Sequence, residues 1–204
     1  MPSRNIVKEY APDSYYHVYA RGINKQKIYM DAVDYRYFTD LFARYLSRKP
    51  SISKDGVAYP SYAKEIKLIS YCLMPNHYHM MIHQDSIDDL QKFMRSLNTS
   101  YSRYFNLRHK RSGPLFESSY KAVRIDQSSY YDHITRYIHL NPRHWENYFN
   151  SSLKYYRDGN EPEWLTTKPI LELFASREKY MQFVADYEEM REMLAEMKYQ
   201  LADL

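Results

Sequence analysis

The chain has 204 residues, of which 44% are hydrophobic and 26% charged, so it is long enough for one folded core with an appended helix. Its single cysteine, Cys72, excludes an internal disulfide, and no run approaches the roughly 18 apolar residues of a membrane span. The N-terminal segment lacks the apolar core of a signal peptide, so the sequence predicts a cytoplasmic protein without membrane association. A net charge of +4 is compatible with a polyanionic partner but does not identify one.

The first two thirds of the chain contain segments with the composition and spacing of strands and helices. Residues 14–22 are β-prone and end at Gly22, and the run IKLISYCLM precedes a second apolar run, YHMMIHQ, across Pro75-Asn76. Two longer segments place apolar residues at helical spacing, each near an acidic start. We predict strands at 14–22, 66–74, 78–84 and 114–125, and helices at 31–49, 86–110 and 127–142.

The predicted order is β-α-β-β-α-β-α, which favours an α+β fold, a ferredoxin-like sandwich with a central antiparallel sheet. Residues 50–65 and 143–172 are rich in turn formers and predict loops. Residues 176–204 have the heptad spacing of a helix that either packs on its own domain or pairs with a second copy in a homodimer. The heptad positions are Phe183, Tyr187, Met190, Leu194, Met197 and Leu201.

The run YCLMPNHYHMMIH places two histidines two residues apart in a predicted strand. A strand directs such residues to one face, so the Cα atoms of His77 and His79 are expected roughly 7 Å apart. That separation suits two imidazoles that bind one ion, although a lone pair is more often structural and leaves a metal short of ligands. His83 shares the face but lies roughly 13 Å beyond His79, so a third ligand has to come from elsewhere.

The segment RYIHLNP offers a third ligand and a nucleophile. Tyr137 and Asn141 are four residues apart, so a helix places them on one face. The Asn141 side-chain oxygen suits a hard divalent ion, and the Tyr137 hydroxyl can attack phosphorus when a nearby cation stabilises its phenolate. The residues alone leave an alternative open, in which Tyr137 is a packed aromatic side chain and Asn141 a turn residue before Pro142.

MPNHYHMMI followed by RYIHLNP resembles the single-tyrosine HUH transposases, in particular the REP-associated tyrosine transposase group. Further similar stretches are YYHVYARGINKQKIY, LQKFMRSLNTSYSRYFN, GPLFESSYKAV and NYFNSSLKYY, so the resemblance covers residues 14–156. It implies the HUH endonuclease fold, with a catalytic domain at residues 1–160 and a C-terminal helical extension at 161–204. The extension departs from the minimal family pattern.

The resemblance implies a role for each candidate residue. His77 and His79 bind a divalent metal ion, Mg²⁺ or Mn²⁺, and Asn141 is the third metal ligand. Tyr137 is the nucleophile that cuts single-stranded DNA, forms a 5′-phosphotyrosine and releases a 3′-OH, after which another 3′-OH reverses the step and joins DNA. The expected partner is single-stranded DNA that contains a hairpin, and binding it would associate the protein with the nucleoid.

Basic residues predict where the DNA lies. The interval from Gln91 to Phe116 has no acidic residue and interleaves basic with aromatic side chains, which suits phosphate pairing and base stacking, although a solvated helix face with core aromatics has the same pattern. A second basic cluster follows the first predicted strand. The predicted DNA-binding residues are Arg21, Lys25, Arg95, Arg103, Arg108, Lys110 and Arg111.

The residues leave other functions open. A DNA-binding protein of this fold without cleavage activity has no need of the set formed by Tyr137, the histidine pair and Asn141. A relaxase-like nicking enzyme shares the histidine pair but typically differs in motif order and size. If the protein is instead a hydrolase that activates water, cleavage should survive Tyr137→Phe. A scaffolding role would account for the C-terminal heptads but for none of the other motifs.

Overall fold

The computed structural model describes residues 10–126 and 130–186, which contain four β-strands and six α-helices. The strands are β1 (Ser14–Arg21), β2 (Ile66–Met74), β3 (His77–Gln84) and β4 (Lys121–Ile125). The helices are α1 (Ala32–Leu46), α2 (Asp89–Arg108), α3 (Tyr131–His139), α4 (Leu153–Asp158), α5 (Lys168–Leu171) and α6 (Arg177–Ala185). No helix in the described ranges has the length and apolar character to cross a membrane.

The four strands form one antiparallel sheet in the order β2-β3-β1-β4. β1 pairs with β3 on one side and β4 on the other, and β2 pairs with β3 through the tight turn at Pro75-Asn76. β1 therefore lies between β3 of the hairpin and β4, as in a ferredoxin-like sandwich, and the predicted α+β fold class is confirmed.

Helices α1 and α2 cover one face of the sheet. The Asp31 side chain caps α1 by accepting hydrogen bonds from the backbone N–H groups of Val33 and Asp34, and thus satisfies two donors of the first turn. Burial of Phe38 from α1, Phe93 from α2 and Tyr78 from β3 joins the two helices to the sheet in one apolar cluster. Fully burying such side chains is worth about 1.5–3 kcal/mol each, which makes this cluster a main source of stability.

A second apolar cluster lies on the opposite face, beneath α3, α4, α5 and α6. It contains Cys72 and Met81 of the sheet, Ile138 of α3 and Tyr180 of α6, all of them fully buried. The sheet is thus covered on both faces, and its second face holds the helix that carries the candidate nucleophile.

Some predicted boundaries were wrong. The strand predicted at 114–125 is confined to β4, because Leu115 and Phe116 turn into the core and Phe116 forms a single bridge with Gly22. The helix predicted at 127–142 is α3, and residues 127–129 lie outside the described residues. The segment 143–172, predicted as loop, contains the short helices α4 and α5.

Residues on both sides of the predicted domain boundary at 160/161 contact the outer edge of β2. The backbone N–H of Leu73 donates to Asn150 O (2.9 Å), and that of Thr166 donates to Leu68 O (2.8 Å). The two proposed domains therefore contribute to one sheet edge, and the boundary itself stays a prediction. Of the heptad positions, Phe183 lies in α6, and the positions from Tyr187 onward are outside the described residues.

Candidate active site

The candidate histidines open β3 and lie on the face of the sheet that α3 covers. In the register of β1 and β3, Arg21 is opposite His77 and Tyr19 is opposite His79. The imidazole rings of His77 and His79 have centroids 5.0 Å apart and are nearly perpendicular, at 87°. The strand spacing thus directs both imidazoles to the same place, as predicted.

Helix α3 brings Tyr137 over this histidine pair. The Tyr137 ring lies edge-on to that of His79, with centroids 5.5 Å apart at 82°. Two residues beyond the end of α3, Oδ1 of Asn141 lies 3.1 Å from Nε2 of His77. The structure therefore brings the predicted nucleophile and all three predicted metal ligands together, and their chemical roles stay predictions.

The hydrogen bonds of His77 show which of its nitrogens is free for a cation. Its Nδ1 lies 2.7 Å from Oδ1 of Asn76, whose Nδ2 donates to the backbone oxygen of Lys25. A carboxamide oxygen only accepts, so His77 Nδ1 carries the proton and Nε2 presents a lone pair to Asn141 Oδ1. Two acceptors 3.1 Å apart repel each other unless a cation binds both, so this pair fits a metal ion.

His79 adds a second nitrogen to the same set. Its side chain is fully buried, and Nε2 has no hydrogen-bond partner among the described residues. An unpaired buried ring nitrogen is costly, and ligation of a cation removes that cost. Two imidazole nitrogens and one amide oxygen suit a divalent ion that fills its remaining positions with water or phosphate oxygens.

Residues 10–126 and 130–186 contain no cluster of three or more histidine, cysteine, aspartate or glutamate side chains suited to a metal ion. The third protein donor that the structure offers beside His77 is therefore the neutral oxygen of Asn141. Two imidazoles and this oxygen leave the full charge of the ion available to a phosphate.

Electrostatics keeps both histidines neutral. Burial lowers the pKa of His77, the Asn141 oxygen opposes that shift because it can accept a hydrogen bond from the protonated ring, and the positive charge of Arg21 adds to the lowering. Burial likewise lowers the pKa of His79 well below its ordinary value. Metal ligation requires neutral imidazole, so both side chains are in the form that binds a cation at neutral pH.

Tyr137 is not activated by its protein surroundings. Its side chain is 5% exposed, and burial raises the pKa of its hydroxyl. A hydrogen bond with Asn141 and the charge of Arg21 lower that pKa but do not outweigh burial. The phenol is therefore protonated at neutral pH, and a further positive charge is needed to favour phenolate.

The family model described as "Transposase IS200 like" matches residues 11–141 and thus spans the histidine pair, Tyr137 and Asn141. The chain belongs to the IS200-like transposase family. No curated protein matches its sequence. A solved structure of a REP-associated tyrosine transposase bound to a REP hairpin is similar in fold, with a TM-score of 0.57 and 12% sequence identity. The match covers 78% of this chain and 89% of that chain.

Arg21 is the predicted DNA-binding residue that lies beside the candidate site of this IS200-like transposase. It ends β1 opposite His77, and its Nε is buried without a hydrogen-bond partner among the described residues. Lys25 is exposed in the turn that follows, where its backbone oxygen accepts from Asn76. The first basic cluster therefore adjoins the candidate metal ligands.

The basic residues predicted on and after α2 fall into two groups, those exposed to solvent and those with intramolecular partners. Arg95 and Arg103 are exposed on α2 and line a groove of about 1140 Å³, whereas Lys110 is exposed in the turn after the helix. Arg108 forms ion pairs with Asp31 and Asp34 of the α1 terminus. Arg111 donates to Oδ1 of Asn106 (3.1 Å). Arg108 and Arg111 thus have intramolecular contacts, and their part in DNA binding stays a prediction.

Sequence reasoning missed two polar residues of the site, His17 and Asn76. His17 has a signal in the sequence, because it stands four residues before Arg21 in a predicted strand and therefore shares its face. Its contact with His79 depends on the register between β1 and β3. That register cannot be read from the residue pattern of either strand alone.

Proposed function

We propose that this IS200-like transposase is a single-stranded DNA endonuclease and strand transferase that uses Tyr137 as its nucleophile. The observation that carries the proposal is the convergence of Tyr137 and Asn141 on His77 and His79. A protein that only binds DNA has no need of a tyrosine hydroxyl held at a potential cation site. The resemblance to REP-associated transposases, together with the hairpin-bound structural neighbour, supports hairpin-containing single-stranded DNA as the substrate.

His77, His79 and Asn141 would hold a divalent ion, Mg²⁺ or Mn²⁺. When bound, the ion polarises the scissile phosphate and stabilises a phenolate beside it. Asn141 and Arg21 both lower the pKa of the Tyr137 hydroxyl, and Arg21 supplies a guanidinium that can pair with a phosphate oxygen. Burial of Tyr137 and His79 excludes bulk water, which favours attack by the tyrosine over hydrolysis.

The chemical step balances without a co-reactant. The Tyr137 oxygen forms a bond to phosphorus and loses its proton, while the bond from phosphorus to the 3′-oxygen breaks and that oxygen gains a proton. The product is a 5′-phosphotyrosine and a free 3′-OH. Because one phosphodiester replaces another, a second 3′-OH can reverse the step and join DNA.

The test is covalent trapping on short hairpin DNAs with single-stranded flanks from sequence beside the gene. The DNA is labelled at its 3′ end and incubated with Mg²⁺ or Mn²⁺, since the 5′-phosphotyrosine retains the 3′ fragment. We expect a labelled adduct on a denaturing gel with wild type and with Tyr131→Phe, a matched tyrosine of the same helix. We expect no adduct with Tyr137→Phe or with a chelator.

Other outcomes select the alternatives. Cleavage without an adduct that persists in Tyr137→Phe would show hydrolysis by water. Binding without cleavage on matched hairpins would show a DNA-binding protein that keeps the fold but does not cut.

We also propose that the groove lined by Arg95 and Arg103 receives part of the DNA. Neither arginine has an ion-pair partner within residues 10–126 and 130–186, so both charges are available to phosphates. The wall of the groove adjoins the candidate site, because the N–H of Glu117 donates to the backbone oxygen of Arg21 (2.9 Å).

Replacement of both groove arginines by alanine is expected to weaken hairpin binding and to reduce its dependence on salt. The lost phosphate contacts should lower the slope of log K against log salt by about 0.7–0.9 per contact. Anisotropy titrations at several salt concentrations measure this slope. Lys64→Ala, which changes an exposed lysine distant in sequence from the groove, is the control; an equal loss in that variant would contradict the proposed path.

A further inference from the structure

A buried histidine outside the predicted ligand set contacts the candidate ligand His79. This residue is His17 of β1, and its Nε2 lies 2.9 Å from Nδ1 of His79. Both side chains are fully buried. Their ring planes differ by 9°, with centroids 5.0 Å apart. At this nitrogen separation the two rings are nearly coplanar and meet edge to edge, which aligns an N–H with the lone pair of its acceptor.

The direction of this hydrogen bond decides whether His79 can bind a metal ion. Two neutral imidazoles share one proton, so one ring donates and the other accepts. If His79 Nδ1 donates, His79 Nε2 presents a lone pair towards the candidate site. If His17 Nε2 donates instead, His79 Nε2 carries a proton and cannot be a ligand.

The remaining two nitrogens distinguish these arrangements only when a cation is present. His79 Nε2 and His17 Nδ1 have no hydrogen-bond partner among the described residues. In either arrangement, one of them is an unpaired N–H and the other an unpaired lone pair. Without a cation, neither arrangement is favoured by these two nitrogens. A cation beside His79 Nε2 favours the arrangement in which His79 Nδ1 donates, because Nε2 then presents a lone pair, and disfavours the other, in which Nε2 carries a proton.

We propose that His17 is a positioning residue of the metal centre, which accepts the Nδ1 proton of His79 and so fixes the tautomer and ring orientation that present Nε2 to the ion. The inference rests on the proposed function, because it takes His79 as a metal ligand. Ligating histidines generally donate their second N–H to a carboxylate, a backbone carbonyl or water. Here a neutral imidazole has that role, and it adds no negative charge that would repel the DNA phosphate.

Neighbouring rings hold His17 in place. The Tyr19 ring stacks on it, with centroids 5.2 Å apart at 26°, and the Tyr137 ring meets it edge-on at 5.7 Å. The candidate nucleophile thus packs against both His79 and the residue that orients His79. Replacement of His17 is therefore expected to act at the metal site and not only on the stability of the sheet.

The first test measures Mn²⁺ binding without DNA, from the electron paramagnetic resonance signal of the free ion. We expect His17→Phe to weaken binding about 10–100-fold, the usual effect of losing such an orienting partner. His17→Gln should restore most of the affinity, because its side-chain oxygen can accept the His79 proton. His83→Phe is the matched control, since His83 is also buried in this sheet but bonds to Asp13 outside the site.

The second test uses the unmodified protein, so it does not depend on whether a variant folds. Histidine ¹⁵N NMR at saturating Mg²⁺ should show His79 protonated at Nδ1 and not at Nε2. A proton on Nε2 would overturn the inference. So would Mn²⁺ binding that is lost in His79→Ala but unchanged in His17→Phe. Equal Mn²⁺ binding by wild type and His79→Ala would instead overturn the proposed metal centre, and the role of His17 with it.

Discussion

Asn141 connects the candidate metal site with the candidate nucleophile. Its Oδ1 faces Nε2 of His77 at 3.1 Å, and its carboxamide lowers the pKa of the Tyr137 hydroxyl. This lowering opposes the effect of burial on the tyrosine pKa, as expected for a partner that favours phenolate. One short side chain thus lies beside both the predicted metal ligand His77 and the predicted nucleophile.

Arg21 lies opposite His77 at the candidate site, and replacement of its side chain is expected to reduce cleavage strongly. Arg21→Ala removes a cation that favours ionisation of Tyr137 and can pair with a phosphate oxygen, so we expect cleavage to fall about 10²-fold. The backbone bond from Glu117 N to Arg21 O does not need the side chain, so the fold should persist. Single-turnover cleavage rates of Arg21→Ala, Arg21→Lys and the exposed-turn control Lys27→Ala measure the effect. Equal rates for Arg21→Ala and Lys27→Ala would contradict it.

At the scale of elements, α3 is tied to α6 by a buried arginine. Arg136 is 1% exposed; its Nη1 donates to the backbone oxygen of Phe183 (3.1 Å) and its guanidinium lies 4.1 Å from the centre of the Phe183 ring. Burial lowers the pKa of Arg136, which shows the cost of placing this cation in the interior. The residue beside the candidate nucleophile thus attaches the tyrosine helix to the last described helix.

Removal of this arginine is expected to destabilise the fold. Arg136→Ala leaves a cavity and an unpaired carbonyl at Phe183, so the free energy of unfolding should fall by about 2–5 kcal/mol. Urea denaturation measures the change, with the exposed Arg143→Ala as a control that should stay within about 0.5 kcal/mol. If Arg136→Ala and Arg143→Ala lost similar free energy of unfolding, the contact between Arg136 and α6 would not be the source of the stabilisation.

The elements differ in how well the sequence predicts them, for physical reasons. The strand pair around Pro75-Asn76 and the helices α1 and α2 follow from local spacing, and the structure has them near the predicted bounds. The strand predicted from residue 114 was wrong at its start. The apolar side chains of Leu115 and Phe116 are buried in the core, but their backbone does not continue the sheet beyond one bridge. Local patterns in the sequence single out the HxH pair, Tyr137 and Asn141, which the structure brings together and whose roles stay predictions, whereas the contact of His17 depends on register.

At the scale of the whole molecule, buried neutral histidines make the fold sensitive to acid. Burial lowers the pKa of His17 to about 3 and that of His139 to about 3, whereas both have ordinary values near 6.5 in the unfolded chain. Below pH 6.5 the unfolded state therefore binds protons that the folded state does not. Stability is full above that pH and falls as the pH decreases towards 3.

The expected loss is about 1.4 kcal/mol per pH unit for each such histidine in this window. Urea denaturation at pH 7.5, 6.0 and 5.0 should show a falling free energy of unfolding. His139→Gln should reduce the slope, and the exposed His144→Gln should leave it unchanged. A slope that His139→Gln does not alter would show that this side chain already takes up its proton in the folded state.

The histidines of the candidate site lie on β1 and β3, which are the two inner strands of the sheet, whereas Tyr137 and Asn141 belong to a helix and its end. Inner strands are bonded on both sides, so their amides exchange with solvent deuterium only when the sheet as a whole opens, while helix ends open locally and far more often. We therefore expect the backbone at the predicted ligands His77 and His79 to open only when the fold opens. We expect the backbone at Asn141 to open more often, so opening of this helix end should limit how long an ion bound by the three predicted ligands stays at the site.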